Sequence, residues 1–191
     1  KYMNWFASQC RKVMYNMAFG TQFRYFGKAC TLEINGQVKI GKNVYIGDHV
    51  SLIVENGAVL EIADNSFIGE NCYIKCFGGK VLIGKDVSIN SKSFINGCGG
   101  VSIGDNTRIG TQSILIASNH KFGEPNLLVK DAITKQGVSL GQNIWLGARV
   151  TVLDGVSIAD DSVIGACSLV SKPLSESGVY VGIPAKKIKS V

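Results

Sequence analysis

"LGQNIWLGARVTVLDGVSIADDSVIGACSLV", residues 140–170, places an aliphatic residue at every sixth position: Leu140, Leu146, Val152, Ile158, Ile164 and Val170. An amphipathic helix needs apolar residues three or four apart, and a strand needs them at every second position. A step of six fits a short strand followed by a sharp corner. One aliphatic side chain then points inward from each strand, and Gly or Asn relaxes the backbone at the turn. Three hexapeptides return the chain to its starting side one strand spacing, about 4.8 Å, further along. The stretch predicts a three-sided solenoid whose core is a set of stacked aliphatic ladders.

The same step runs upstream through Ile34, Ile40, Ile46 and Leu52, then Ile62, Ile68 and Ile74, then Ile83, Ile89 and Ile95, then Ile103, Ile109 and Leu115. Gly often follows the aliphatic residue, as at Gly47, Gly69 and Gly147, and a small or β-branched residue comes four positions after it. Longer steps separate Leu52 from Ile62, Ile74 from Ile83 and Ile95 from Ile103, and bulges at corners absorb them. Between Leu115 and Leu140 the surplus is too large for a bulge. It predicts an excursion loop over about residues 117–137, with His120, one of two histidines, at its root. Long loops in compact domains are usually functional. The other histidine, His49, sits inside a regular hexapeptide and reads as structural.

Residues 1–28 precede the repeat. Met3, Phe6, Cys10, Val13, Met14 and Met17 recur at helical spacing, so a short amphipathic helix is expected, packed over the open end of the prism. The basic and aromatic "FGTQFRYFGKAC" (19–30) leaves peripheral contact with a membrane, or with a lipid-linked substrate, as the alternative. The solenoid is assigned to 29–171, and 172–191 to a C-terminal tail.

With 191 residues, 46% hydrophobic and 18% charged, the chain suits one buried core. Its formal charge of +6 favours an anionic partner, and the densest basic run is "AKKIKSV" at 185–191. No apolar run is long enough to cross a bilayer, and no secretory signal is visible. The six cysteines form no C-x-x-C pair, and Cys72 and Cys167 are read as buried free thiols, which suits a reducing, cytoplasmic setting.

The block 141–189 combines N-x-W-x-G (143–147), an unbroken hexapeptide run, Ser-Lys-Pro (171–173) and G-I-P-A-K (182–186). With the ladder and the excursion, it makes residues 30–190 resemble the left-handed parallel β-helix acyltransferases. The likeness is closest to the galactoside, maltose and surface-polysaccharide O-acetyltransferases. The left hand comes from the resemblance, since general crossover rules favour the right.

The resemblance implies a homotrimer with sites between adjacent prisms, acetyl-CoA as acyl donor, no required metal and no nucleic-acid partner. The acceptor it implies is a small-molecule or lipid-linked sugar hydroxyl. His120 matches the general base, since a neutral imidazole can take the hydroxyl proton near working pH. Asn90, thirty residues earlier, matches the acceptor-binding asparagine, while an ordinary corner asparagine remains the other reading. Ala148 matches the backbone oxyanion donor. Trp145 would lie along the pantetheine arm or pack at a subunit seam. Ala166, Ser171 and Lys172 would line the coenzyme groove, and Lys186 and Lys189 would face its phosphates. The family often has Arg at those last two positions, and Lys keeps the charge without the bidentate fork.

An N-acetyltransferase for an amino-sugar nucleotide or an antibiotic would use the same base and groove. A zinc enzyme like the carbonic anhydrases of this fold needs three histidines, and the chain has two. A non-catalytic scaffold is the remaining alternative.

Overall fold

The computed structural model describes residues 2–121 and 132–191, with side chains from residue 7 onward. The fold is mainly β, a left-handed parallel β-helix preceded by one helix, α1 (Tyr2–Phe19). Its three faces are sheets of nine, seven and six strands. The first face runs from Tyr25–Phe26 through Trp145–Leu146 to Val179–Val181. The second runs from Thr31–Ile34 to Leu169–Val170, and the third from Gln37–Ile40 to Val156–Ile158.

The ladder read from the sequence is the core, except in the first coil, where Leu32 and not Ile34 stands in register with Leu52. On the first face Phe26, Ile46, Ile68, Ile89, Ile109, Leu146 and Ile164 stack in register, all fully buried. Each such side chain contributes roughly 1.5–3 kcal/mol on burial. Buried hydroxyls stitch the coils at the corners. Ser113 donates to the Gly147 carbonyl at 3.2 Å and accepts from the Val150 N–H at 3.3 Å, and Thr107 does the same for Gly141 and Ile144.

Two corners per coil use left-handed backbone. Between the third and first faces this falls on Asn43, Asn65, Asn106 and Asn143, as a short polar side chain allows. Between the first and second faces it falls on Ala29, His49, Asn71, Lys92, Gln112, Arg149 and Cys167, with φ between 51° and 63°. Ala, Lys, Gln, Arg and Cys have no intrinsic liking for that region, so at those positions the stacked neighbours impose it. His49 is therefore an exposed corner residue, its N–H bonded to the Lys28 carbonyl at 2.9 Å.

The third corner, from the second face to the third, behaves differently. Every irregular step in the ladder falls there, including Leu52 to Ile62, Ile74 to Ile83, Ile95 to Ile103 and Leu115 to Leu140. The inner part of the excursion, residues 122–131, lies outside the described residues.

Three features differ from expectation. The coil continues past residue 171. Leu174 bridges to Ile158 and Val179–Val181 adds a strand to the first face, with Tyr180 in the aliphatic column above Ile164. Secondly, α1 meets the prism through Tyr15 and Phe19. Tyr15 stacks on Phe26 at a centroid distance of 3.9 Å, and Phe19 packs edge-on to Phe23 at 6.0 Å. The first coil ends in aromatic rings, and rings cover them best. Cys10, Val13, Met14 and Met17 therefore face away and are exposed, while the side chains of Met3 and Phe6 lie outside the described set. Finally, Cys167 is exposed, because it is the left-handed corner residue and Ser168 takes the small buried position. Cys72 is buried as expected, and burial pushes its thiol up to about 11; the thiol of Cys76, also buried, is pushed up to about 12.

Candidate active site

The excursion leaves the prism as a short antiparallel ladder, Asn119–His120 against Ile133–Thr134, extended by the Lys121 N–H to the Ala132 carbonyl at 3.0 Å. His120 is exposed on it. The ladder is tied down by a residue thirty-four positions later in sequence. Asp154 accepts from the Thr134 hydroxyl at 2.7 Å and from the Gly137 N–H at 2.8 Å. A charged acceptor makes these the stronger kind of hydrogen bond. Sequence reasoning missed Asp154, because Asp154-Gly155 reads as an ordinary turn.

At the corner between the first and second faces, the residues after the inward aliphatics stack as Gly27, Gly47, Gly69, Asn90, Gly110, Gly147 and Gly165. The column leaves little room. A Cβ at Gly69 would lie 2.6 Å from the Ser91 nitrogen, and one at Gly147 would lie 2.6 Å from the Ala166 nitrogen. Asn90 is the one non-glycine residue among these seven, and Val181 follows above Gly165. Its amide donates to the Ile109 carbonyl at 2.9 Å. With its nitrogen tied, the amide still has a carbonyl oxygen to offer a hydroxyl.

One position further on, Lys28, Asp48, Glu70, Ser91, Thr111, Ala148 and Ala166 stack. The Lys28 N–H donates to the Asp48 carboxylate above it at 3.0 Å. The corner between the third and first faces repeats that device, with Lys42 on Asp64, Lys85 on Asp105 and Gln142 on Asp160 at 2.7–2.8 Å. Above Ala148 stands Ala166, which has no side-chain oxygen. The Ala148 N–H finds no acceptor among the described residues, as is also true of the Asp48, Ser91 and Thr111 N–H groups in the same column, while its carbonyl accepts from the Cys167 N–H at 2.9 Å. A fixed, uncommitted donor of this kind is what a developing oxyanion requires.

Trp145 projects from the first face between Arg108 and Val163 and is 59% exposed. Its column continues through Val179 to Lys189, in the strand Lys186–Lys189 that folds back antiparallel. The register there skips Ile188, pairing Lys186 with Val181, Lys187 with Tyr180 and Lys189 with Val179. Cross-strand partners share a side of the sheet, so the skip puts Lys186 and Lys189 on the outer side together. Lys187 instead pairs with Glu176 at 2.8 Å. Ser171, Lys172 and Lys186 line one cleft of about 230 Å³ with Pro184 and Ala185. A groove of about 600 Å³ along the third face contains none of the candidate residues.

The candidates thus fall into three groups: Asn90, Ala148 and Ala166 at one corner, Trp145 with Lys186 and Lys189 on the first face, and His120 at the far edge of the second face, where Ser171 and Lys172 follow Val170 two coils further on. The width of that face, on the order of 15–20 Å at 3.3 Å per residue, separates His120 from Ala148 within one chain.

A three-sided parallel coil built on hexapeptides, with a loop-borne histidine and an open corner amide, defines a transferase-type hexapeptide solenoid. Residues 137–172 match the bacterial transferase hexapeptide repeat. Galactoside O-acetyltransferase of Escherichia coli K12 is 30% identical over 135 residues, covering 65% of this chain and 63% of that protein. WbbJ of the same organism, whose name provisionally assigns it to lipopolysaccharide O-acetylation, is 28% identical over 179 residues, covering 94% and 85%. The crystal structure of the polySia specific acetyltransferase NeuO superposes with a TM-score of 0.63 at 27% identity, covering 90% and 76%. Across the curated relatives, the chain spans between 44% and 85% of the relative's own length. The chain thus carries a bacterial transferase hexapeptide repeat over residues 137–172, and sugar O-acetyltransferases are among the proteins it resembles.

Proposed function

We propose that the chain is an acyltransferase that moves an acetyl group from acetyl-CoA to a sugar hydroxyl in surface-polysaccharide synthesis in the cytoplasm, acting as a homotrimer. The observation that carries this reading is the uncommitted Ala148 N–H, half-buried at a corner where the adjoining positions, Gly147 before it and Ala166 above it, carry no side chain beyond a methyl. The relatives named for galactoside and polysialic acid acetylation support the sugar acceptor. The separation of His120 from that corner supports the trimer, because a neighbouring prism can present its excursion edge to the corner.

In the reaction, the His120 imidazole takes the proton of the acceptor hydroxyl as its oxygen attacks the thioester carbonyl carbon. The carbonyl oxygen becomes an oxyanion and accepts from the Ala148 N–H, an interaction typically worth about 3–4 kcal/mol. Collapse breaks the C–S bond and expels the coenzyme thiolate, which recovers the proton from the imidazolium. Asn90 holds the acceptor, Trp145 lies along the pantetheine arm, and Ala166, Ser171 and Lys172 border the groove. Thiol release from acetyl-CoA, followed with a panel of sugars, tests the reading. Release that depends on a sugar hydroxyl supports it, and no release with any sugar overturns it.

Lys186 and Lys189 then have a distinct signature. Replacing both with Ala raises KM for acetyl-CoA about tenfold or more, at roughly 1 kcal/mol for each exposed charge contact, and leaves kcat within twofold. With dephospho-acetyl-CoA as donor the penalty shrinks for any lysine that meets the 3′-phosphate. An equal KM for variant and parent on the full coenzyme removes both lysines from the site.

A further inference from the structure

We propose that the α1 end of the prism docks on an anionic bilayer surface. Two features share that end. Along α1, Cys10, Val13, Met14 and Met17 recur three or four residues apart on the side opposite Tyr15 and Phe19, with Val13 55%, Met14 50% and Met17 74% exposed. Because Tyr15 closes the prism against Phe26, this apolar ridge points outward along the prism axis.

On the flank of α1 opens a cleft of about 370 Å³ lined by Lys12, Arg24 and Lys42, with Asn16, Gln22 and Asn43 and no carboxylate. None of the three charged groups forms an ion pair within 4 Å among the described residues, although the Lys42 backbone N–H donates to the Asp64 carboxylate at 2.7 Å. Asn16 is committed to holding the chain turn, accepting from the Phe23 N–H at 2.8 Å, and Arg24 lies over the Tyr45 ring at 5.3 Å. The cations are therefore held at the end of the prism rather than scattered.

An exposed apolar ridge bordered by uncompensated cations suits insertion at the boundary of acyl chains and phosphate headgroups. An anionic bilayer supplies both complements at once, a hydrocarbon surface for Met17 and Val13 and phosphates for the cleft. The surface lies on the first coil, about five strand spacings or roughly 25 Å from Trp145, so it is separate from the proposed acetyl-transfer site and does not depend on it.

The test is sedimentation of the intact chain with sucrose-loaded vesicles of phosphatidylcholine, alone or with about one-third phosphatidylglycerol. Binding is expected only with the anionic vesicles, falling severalfold as salt rises from about 0.1 to about 0.5 M. The pair Val13→Glu and Met17→Glu abolishes binding while the thermal melt stays unchanged, because both side chains are exposed. Lys12→Ala, Arg24→Ala and Lys42→Ala each weaken binding by about fivefold. No sedimentation, or equal sedimentation with neutral vesicles, overturns the proposal. So does particle growth without vesicles that Met17→Glu reverses, since a second copy would then cover the ridge.

Discussion

Replacing His120 with Ala lowers kcat for acetyl transfer by about a thousandfold, within the range a positioned general base contributes, and leaves KM for acetyl-CoA within twofold. The side chain is exposed on the strand Asn119–His120 and lies outside every aliphatic ladder, so its removal leaves the core intact. The thermal melt and the oligomeric mass should match the parent. A variant keeping more than about a tenth of the parent rate removes His120 from the mechanism. Asp154→Ala is the informative companion. It releases both the Thr134 hydroxyl and the Gly137 N–H, so the strand across from His120 loses its anchor. The expected loss is smaller, about tenfold in kcat, because the imidazole is kept and only its placement suffers.

Gly110→Ala acts on the other half of the site by sterics alone. Its Cβ would lie 2.4 Å from the Gly147 carbonyl carbon and 2.6 Å from the Ala148 nitrogen. Those atoms are backbone of the next coil and cannot rotate away as a side chain would. The coil above must lift, at about 3 kcal/mol, which lowers the melting temperature by roughly 6–12 °C in a chain of this size. Gly57→Ala is the matched control. Gly57 has φ +76° and no atom within 4 Å of a new Cβ, so only the backbone preference is lost, about 1 kcal/mol. Acetyl transfer by Gly110→Ala should fall further than unfolding explains, because the displaced atoms include the proposed oxyanion donor. Equal melts for the two variants would show that the stack yields more easily than its geometry implies.

The ladder was readable because a solenoid puts one inward residue on each short strand, and Leu146, Val152, Ile158 and Ile164 announce that spacing directly. It became unreadable where chemistry changed with geometry intact, as at Tyr180, an aromatic residue standing in an aliphatic column. The orientation of α1 was hidden for a related reason. Met14 and Met17 give the more regular stripe, but the surface to be covered is aromatic, and that surface exists only after the first coil has formed. Corner residues show the same limit. Nothing in Lys92 or Arg149 signals left-handed backbone, because the neighbours above and below enforce it. Within the candidate site, the loop position of His120 was legible. The hold of Asp154 on that loop was not, since only the coil brings residues 134 and 154 together. Neither was the small-residue surround of the Ala148 N–H, since only the coil sets Ala166 above it.

The concentration of every irregular step at a single corner has a wider consequence. At two corners a spare residue would throw the next rung out of register, so those margins tolerate substitution and refuse added length. The remaining margin accepts new chain at an entropic cost that rises only slowly with length. A prism built this way has one editable hem: segments of any size can be sewn in there, changing what is grasped, while the opposite seam keeps the same grip on whatever common carrier it serves.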